Sequence, residues 1–137
     1  MRKRHDGFTL IEIMVVVVIL AVLGALVVPN ILGKVDTARI TAAKTDIRSI
    51  STALDLYRLD NFKYPTTDQG LQALVTQPQN DPRPTRWYQL FRELPKDPWG
   101  SDYIYRNPGL KNPGGYDLYS AGPDRQPDTA DDDWGGG

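Results

Sequence analysis

The chain begins with a long run of apolar residues and continues with shorter apolar stretches that are spaced for helix and strand. Between Phe8 and Val28 the only charged residue is Glu12. About 21 helical residues with a rise of 1.5 Å each span about 30 Å, which is the thickness of the hydrocarbon core of a bilayer. We therefore predict a membrane-spanning helix over residues 8–29.

The flanks of this run distinguish a permanent anchor from an ordinary secretory signal peptide. Arg2, Lys3 and Arg4 precede the run, and basic flanks favour the cytoplasmic side of a membrane. A signal peptide has a shorter apolar region, about 7–15 residues, that ends in small residues at a cleavage site. The end of this run, VVPN at 27–30, does not have that pattern. We expect a single-pass anchor, with the rest of the chain on the outer side.

A second helical pattern follows the apolar run. Its apolar residues recur at alternating spacings of three and four, which places them on one face of a helix. They are Ile40, Ala43, Ile47, Ile50, Leu54 and Tyr57. We predict one long helix from near Phe8 to about Asp60, with residues 30–60 as an amphipathic spine. Its only expected interruption lies between Gly24 and Pro29, where proline removes a helical hydrogen bond, and this stretch either kinks or melts on assembly.

The remaining residues, 61–137, predict a short helix and a small antiparallel sheet. Thr66 and Gln69 have the spacing of a capping box, in which each side chain bonds the backbone N–H of the other residue. Short alternating runs at 103–105 and 116–119 are separated by Asn-Pro-Gly turn signals. The expected fold class is α+β, with the sheet packed across the spine helix.

Composition excludes several classes of function. The formal net charge of −1 is too close to zero to indicate a nucleic-acid partner. The chain has no cysteine, which rules out disulfides, thiolate zinc sites and a cysteine nucleophile. Its single histidine, His5, rules out a histidine-based triad and a multi-histidine metal site.

Glu12 is the unusual residue of the apolar run. A carboxylate at this depth costs on the order of 2–3 kcal/mol, and no Lys or Arg lies between Phe8 and Gly33. Glu12 either reaches the headgroups, is protonated, or has a partner. Cleavage after Gly7 would create one, the α-amino group of Phe8, about one helical turn away. Pairing with Glu12 of a neighbouring copy would turn the membrane penalty into a force for assembly, while pairing within one chain would not.

The sequence GFTLIE at 7–12, after a short basic leader, resembles the leader motif of type IV prepilins. The resemblance implies that residues 1–7 are a leader peptide, which a prepilin peptidase removes by cutting after Gly7. It also implies that the same enzyme N-methylates the new first residue, Phe8. Glu12 corresponds to the glutamate on which assembly depends in that family.

Longer stretches narrow the resemblance to the major pseudopilin family of type II secretion systems. They are LDLYRLDN at 54–61, YPTTDQGL at 64–71, LPKDPWG at 94–100 and YDLYSAGPD at 116–124. The resemblance implies a pilin-like fold, with residues 30–137 forming a periplasmic domain. It also implies a major structural subunit that polymerises through its N-terminal helix into a pseudopilus, which pushes or guides folded exoproteins across the outer membrane.

The same resemblance implies the partners and the location. The expected partners are further copies of the chain in a homopolymeric filament, the prepilin peptidase, minor pseudopilins, the inner-membrane assembly platform and the lipid of the bacterial inner membrane. No nucleic-acid partner and no catalytic activity are expected. The alternative within this architecture is a pilin subunit of a type IV pilus, which serves adhesion, motility or DNA uptake.

Residues 116–137 contain six aspartates and one arginine. Such a stretch is either a disordered acidic tail or a folded loop. Turn-forming residues and Trp134 favour a loop in which Asp124, Asp131 and Asp132 converge. Hard oxygen ligands suit calcium, and a small domain without disulfides gains stability from a bound metal. We therefore expect calcium here.

Resemblance to the calcium site in the last loop of major pseudopilins implies a ligand set. It consists of the side chains of Asp124, Asp131 and Asp132 and the backbone carbonyls of Ala121, Gln126 and Thr129. Arg125 stands where glycine is usual in that family, and its positive charge is expected to weaken the site. Asp128 and Asp133 either substitute as ligands or are solvated.

Two functions from other classes are weaker interpretations. A membrane-tethered, calcium-dependent enzyme would use clustered aspartates for acid–base chemistry, but the acids here lie in one terminal loop with no nucleophile and base near them in sequence. A monomeric anchored binding module would leave Glu12 without a role in assembly.

Overall fold

The computed structural model of the protein describes residues 7–134, apart from the side chains of 28–30 and 32. Residues 1–6, which hold most of the predicted leader, and residues 135–137 lie outside the described part. The chain forms two compact units, Met1–Ala38 and Arg39–Gly137.

One helix, α1, runs from Leu10–Asn61 over 52 residues, so the predicted long helix is confirmed. Residues 24–29, the predicted interruption, are all helical in this structure. Within the described residues, one stretch of helix is long and apolar enough to cross a membrane, Leu10–Val27, and none of it is buried. The apolar composition of this stretch is therefore not explained by packing inside the protein.

The second half of α1 buries one face, as its spacing predicts. Its buried side chains are Ala43, Ile47, Ile50, Leu54 and Tyr57. The expectation for Ile40 is wrong, because this side chain is 42% exposed. The first buried position is Ala43, about one turn later, and the hydrophobic core of the folded region begins only at Ile47. Helical periodicity predicts which side of a helix is buried. It does not predict at which residue the rest of the protein stops covering that side.

The core joins this helix face to the rest of the folded region. Buried members from outside α1 are Leu71, Ala73, Leu74, Tyr103, Tyr105 and Leu118. The Tyr103 hydroxyl donates a 2.7 Å hydrogen bond to the Asp46 carboxylate of α1. Burial is the main reason why the pKa of Tyr103 is raised, and the bond to Asp46 adds to it. This tyrosine therefore links the sheet region to the helix with a neutral, hydrogen-bonded hydroxyl.

The capping box predicted at Thr66 and Gln69 is present. The Thr66 N–H donates to Gln69 Oε1 at 3.1 Å, and the Gln69 N–H donates to Thr66 Oγ1 at 3.2 Å. These bonds close the turn that precedes a short 3₁₀ helix, η1, at Leu71–Leu74. The predicted short helix is therefore confirmed, in a shorter and tighter form.

The sheet has two antiparallel strands, β1 at Ile104–Arg106 and β2 at Asp117–Tyr119. Ile104 pairs with Tyr119, so β1 begins one residue later than the sequence pattern predicts. The buried Asp117 carboxylate organises the connection between the strands by accepting three backbone N–H bonds. The donors are Leu110, Lys111 and Asn112, at 2.7, 2.9 and 3.0 Å.

Candidate functional site

The predicted cleavage junction, Gly7–Phe8, precedes the first residue of α1. The Phe8 side chain is 84% exposed. A Cβ atom added to Gly7 would meet no other heavy atom within 4 Å. The described part of the junction therefore lies outside the regular helix, where an enzyme can reach the exposed Phe8.

Glu12 closes a capping box with Thr9 at the start of the helix. The backbone N–H of Thr9 donates to the Glu12 carboxylate at 2.9 Å, and the backbone N–H of Glu12 donates to Thr9 Oγ1 at 3.3 Å. Sequence reasoning missed this arrangement, although Thr9 and Glu12 have the Thr-x-x-Glu spacing that signals it. Among residues 7–134, the Glu12 carboxylate thus has a hydrogen-bond donor and forms no ion pair.

The capping box also determines where the Glu12 carboxylate points. It turns back toward the helix N-terminus, where free N–H groups and the helix dipole favour negative charge. The residue bonded to it, Thr9, is the direct neighbour of Phe8. An α-amino group created at Phe8 would therefore appear at the end of the helix toward which this carboxylate is already directed.

Beyond this end the helix presents apolar side chains on all sides. Phe8, Leu10, Ile11, Leu20 and Leu26 each expose more than 60% of their surface. Apolar surface of this extent needs lipid or other protein to cover it, because soluble proteins rarely leave such large apolar patches in water.

The acidic end of the chain folds back on the sheet. We use the name terminal loop for residues 121–132. Ser120 and Asp133, on either side of it, exchange two backbone hydrogen bonds of 2.9 Å each. The Ser120 hydroxyl donates to the buried Asp97 carboxylate at 2.7 Å, which ties the base of the loop to the body of the domain. This stretch is therefore a closed loop and not an extended acidic tail.

Several of the predicted metal ligands meet around one hydroxyl group. Thr129 Oγ1 lies 2.6 Å from Asp131 Oδ1, 3.3 Å from Asp132 Oδ1 and 3.0 Å from the carbonyl oxygen of Gln126. Asp124 joins them indirectly, because its backbone N–H donates to Asp131 Oδ2 at 3.1 Å. The structure thus brings three predicted ligand groups, the Asp131 and Asp132 carboxylates and the Gln126 carbonyl, to the Thr129 hydroxyl, which is itself not a predicted ligand.

The loop is compact enough to require glycine at one position. Gly122 has φ +70°, and a Cβ atom placed on it would collide with the carbonyl oxygen of Asp131. The hydrogen bond from the Thr129 hydroxyl, followed by the bond from the Asp124 N–H, lowers the pKa of Asp131. The charged form of this carboxylate is therefore stabilised by donors of the loop itself.

The donor set fits a calcium ion by its chemistry, since it consists of carboxylate and carbonyl oxygens on one closed loop. The fit is not complete in geometry. Over residues 7–134, no three acidic or histidine side chains are grouped closely enough to hold a metal together. In this structure the carboxylates instead accept hydrogen bonds from the loop's own N–H and hydroxyl groups, such as the 2.8 Å bond from Gln126 N–H to Asp124 Oδ1.

Asp128 is not merely solvated, because its carboxylate has partners within the protein. Its carboxylate forms a two-pronged ion pair with Arg106 of β1, at 3.2 Å and 2.9 Å. The Tyr119 hydroxyl of β2 donates to the same carboxylate at 3.0 Å. The Arg106 guanidinium and then the Tyr119 hydroxyl lower the pKa of Asp128. These partners are 22 and 9 residues away in sequence, and no local sequence motif predicts either contact.

Comparison with known families identifies two regions of similarity. The family model described as Type II secretion system (T2SS), protein G matches residues 30–134. The model described as Prokaryotic N-terminal methylation motif matches residues 2–28. Only residue 29 lies between the two matches, and together they include the predicted leader junction, the rest of α1 and the terminal loop.

Individual relatives match along nearly the whole chain. Type II secretion system core protein G of Pseudomonas aeruginosa is 52% identical over 134 residues, which are 96% of this chain and 93% of the relative. The protein of that name from Escherichia coli K12 is 50% identical, covering 96% and 92%. A crystal structure of the major pseudopilin from the type 2 secretion system of enterohaemorrhagic Escherichia coli superposes with a TM-score of 0.68 at 46% identity, covering 77% of this chain and 93% of that one.

Proposed function

Because the chain belongs to the protein G family of type II secretion systems, we propose that it is the major structural subunit of a pseudopilus. The observation that carries this proposal is the fully exposed apolar stretch Leu10–Val27, directly behind an accessible Gly7–Phe8 junction. This surface suits two environments in turn, lipid around the newly made subunit and neighbouring helices in the filament.

The first step acts on the N-terminus. A prepilin peptidase cuts after Gly7 and methylates the amino group of Phe8, so this chain is the substrate of the reaction. Its contribution is a junction outside the regular helix, with an exposed Phe8 side chain. Cleavage exposes one positive charge at the end of α1.

Assembly then uses that charge. Removal of Glu12 from water is unfavourable in the membrane, and the capping box with Thr9 supplies a hydrogen bond without neutralising the carboxylate. The α-amino group of Phe8 on an adjacent copy neutralises it. Attraction between opposite charges is strong in a low-dielectric environment, so the pair favours the assembled state over the isolated subunit and fixes the axial position of one subunit against the next.

The remaining partners follow from this role. The filament is anchored in the inner membrane by the apolar helix, with residues 30–137 in the periplasm. It grows from an inner-membrane assembly platform and includes minor pseudopilins. It moves folded exoproteins toward the outer membrane, and its role is mechanical, with no catalytic step.

Deletion of the gene in the bacterium that encodes the chain tests this function. We expect exoproteins to accumulate in the periplasm and to disappear from the medium, because a machine without its major subunit forms no filament. Re-expression of the chain should restore secretion. Normal secretion together with lost surface pili, adhesion, motility or DNA uptake would instead identify a type IV pilin.

We further propose that the terminal loop binds one calcium ion. The side chains of Asp124, Asp131 and Asp132 and the carbonyls of Ala121, Gln126 and Thr129 would hold it. Support comes from the all-oxygen donor set and from the gathering of the Asp131 and Asp132 carboxylates and the Gln126 carbonyl around one point of the loop. When bound, the ion supplies positive charge to the acidic loop and connects its first part, residues 121–126, to its second part, residues 129–132.

Chelation of calcium should lower the melting temperature of the full chain in detergent. A ligand at a concentration one hundred times its Kd stabilises the folded state by about 2.7 kcal/mol. For a domain of this size, that corresponds to a shift on the order of 10 °C. Differential scanning calorimetry with calcium and with excess chelator measures it.

Two variants give this measurement its control. Asp124→Ala should remove most of the calcium-dependent shift. Asp102→Ala removes a carboxylate that forms an exposed ion pair with Lys96; neither residue belongs to the terminal loop, so this variant should keep the shift. Identical melting curves of the unmodified chain in calcium and in chelator would refute the metal site.

A further inference from the structure

The terminal loop is fastened at its end by a stack of four side chains. The Tyr119 ring of β2 stacks on the Trp134 ring, with centroids 4.1 Å apart and planes inclined by 18°. Lys111 Nζ lies 4.2 Å from the centroid of Trp134, and the Arg106 guanidinium carbon lies 5.9 Å from that of Tyr119. Stacked aromatic rings attract each other. A cation near the face of a ring is attracted by the ring's quadrupole. Trp134, the residue after the Ser120–Asp133 bridge, is therefore held on the sheet.

The middle of the loop is attached to the same strand residues. Asp128 accepts both prongs of the Arg106 guanidinium and the hydroxyl of Tyr119. Paired bonds between guanidinium and carboxylate fix orientation as well as distance. Asp128 itself has φ +65°, a conformation that residues with a side chain adopt infrequently, and its contacts hold the backbone there.

Fixing Asp128 also places the neighbouring ligand candidates. The backbone N–H groups of Asp128 and Thr129 both donate to Asp132 Oδ2, at 2.8 and 3.2 Å. The hydroxyl of Thr129 contacts Asp131 and the carbonyl of Gln126. The ion pair with Arg106 is thus one residue away from the hydroxyl at which the donors of the loop gather.

We propose that Arg106, Tyr119 and Asp128 form a clamp that holds the backbone of the terminal loop closed before the metal arrives. The inference rests on the proposed calcium site and assigns it positioning residues that are not ligands. The clamp uses only protein groups, so it acts with or without the ion. Ordering a loop costs conformational entropy, and a loop that is ordered beforehand binds its ligand more tightly.

The substitution Arg106→Gln tests the clamp, because two explanations predict opposite signs. If Arg106 acted on calcium only through its charge, removing that charge would strengthen binding. If it positions the loop, binding should weaken by roughly tenfold to a hundredfold, the loss typical of residues that orient metal ligands. Calcium titration calorimetry on the full chain in detergent measures the change. Unchanged or tighter binding overturns the proposal.

Two further variants provide controls. Arg106→Lys keeps the charge and the aliphatic stem but loses the paired geometry, so it should weaken binding in the same direction even if Arg106→Gln folds poorly. Lys96→Gln removes a cation from the exposed ion pair with Asp102 and should leave calcium affinity within about twofold of the unmodified chain, because exposed pairs contribute little. A loss in Lys96→Gln equal to that in Arg106→Gln would also overturn the clamp.

Hydrogen exchange in excess chelator separates this proposal from the metal proposal. With the clamp intact, the amides of Asp128 and Thr129 should exchange slowly even without calcium, because both are hydrogen-bonded to Asp132. In Arg106→Gln they should exchange at least about tenfold faster. Equal rates in both proteins contradict the clamp. Failure of the unmodified chain to bind calcium, with slow exchange that Arg106→Gln abolishes, rejects the calcium site and retains the clamp.

Discussion

Glu12→Ala should abolish filament assembly while leaving cleavage of the leader nearly unchanged. The substitution relieves the isolated subunit of a charge that costs on the order of 2–3 kcal/mol in the membrane, and it removes the partner of the Phe8 amine. Both effects favour the dispersed subunit. A loss of about 2 kcal/mol at each subunit contact weakens that contact roughly thirtyfold. We expect the yield of sedimentable filament to fall at least tenfold, which electron microscopy and quantitative immunoblotting measure.

Two substitutions separate the charge of Glu12 from its capping role. Glu12→Gln keeps an oxygen that can accept the Thr9 N–H bond and loses the charge, so it should assemble as poorly as Glu12→Ala. Thr9→Val removes the hydroxyl that accepts the Glu12 N–H bond and keeps the charge. It should cost about 1 kcal/mol of helix stability and permit assembly. Normal assembly of Glu12→Gln would show that capping suffices.

Gly7→Asp should block leader cleavage completely. The resemblance to prepilins implies that the peptidase accepts a small residue immediately before the cut, and a charged side chain at that position interferes with recognition of the junction. The uncleaved chain has no α-amino group at Phe8 and should therefore also fail to assemble. Mass spectrometry of the intact chain measures the result, since cleavage removes residues 1–7 and methylation adds one methyl group.

Gly7→Ala is the matched control for this variant. A Cβ atom at residue 7 meets nothing within 4 Å in the subunit, so any effect arises in the peptidase and not from the fold. Because alanine is small, partial cleavage is expected. Full processing of Gly7→Asp would show that the chain is cut elsewhere or not by this class of enzyme.

Sequence periodicity was sufficient to predict α1 and its buried face, because apolar residues at spacings of three and four can all lie on one side only in a helix. The repeat was insufficient at Ile40, since exposure there depends on where residues from other parts of the chain stop covering the helix. The two capping boxes were equally visible in sequence. The Thr-x-x-Glu spacing of Thr9 and Glu12 therefore made the Thr9 backbone a predictable hydrogen-bond partner of Glu12.

The terminal loop illustrates a different limit. Its acidic composition and turn residues predicted a folded loop, and the loop is closed by the pairing of Ser120 with Asp133. Its fastening to the sheet was not predictable, because Arg106 and Asp128 share no spacing motif. Long-range ion pairs depend on strand register and on backbone conformations such as the positive φ of Asp128, and a single sequence does not specify these locally.

The most direct measurement of the assembly mechanism is the distance between the Phe8 α-amino nitrogen and the Glu12 carboxylate in the assembled filament, determined by electron cryomicroscopy. We predict that Glu12 of one subunit lies within about 4 Å of the amine of its neighbour, the distance of an ion pair. A filament in which Glu12 contacts only Thr9 of its own chain, with every Phe8 amine well beyond ion-pair distance, would contradict this mechanism.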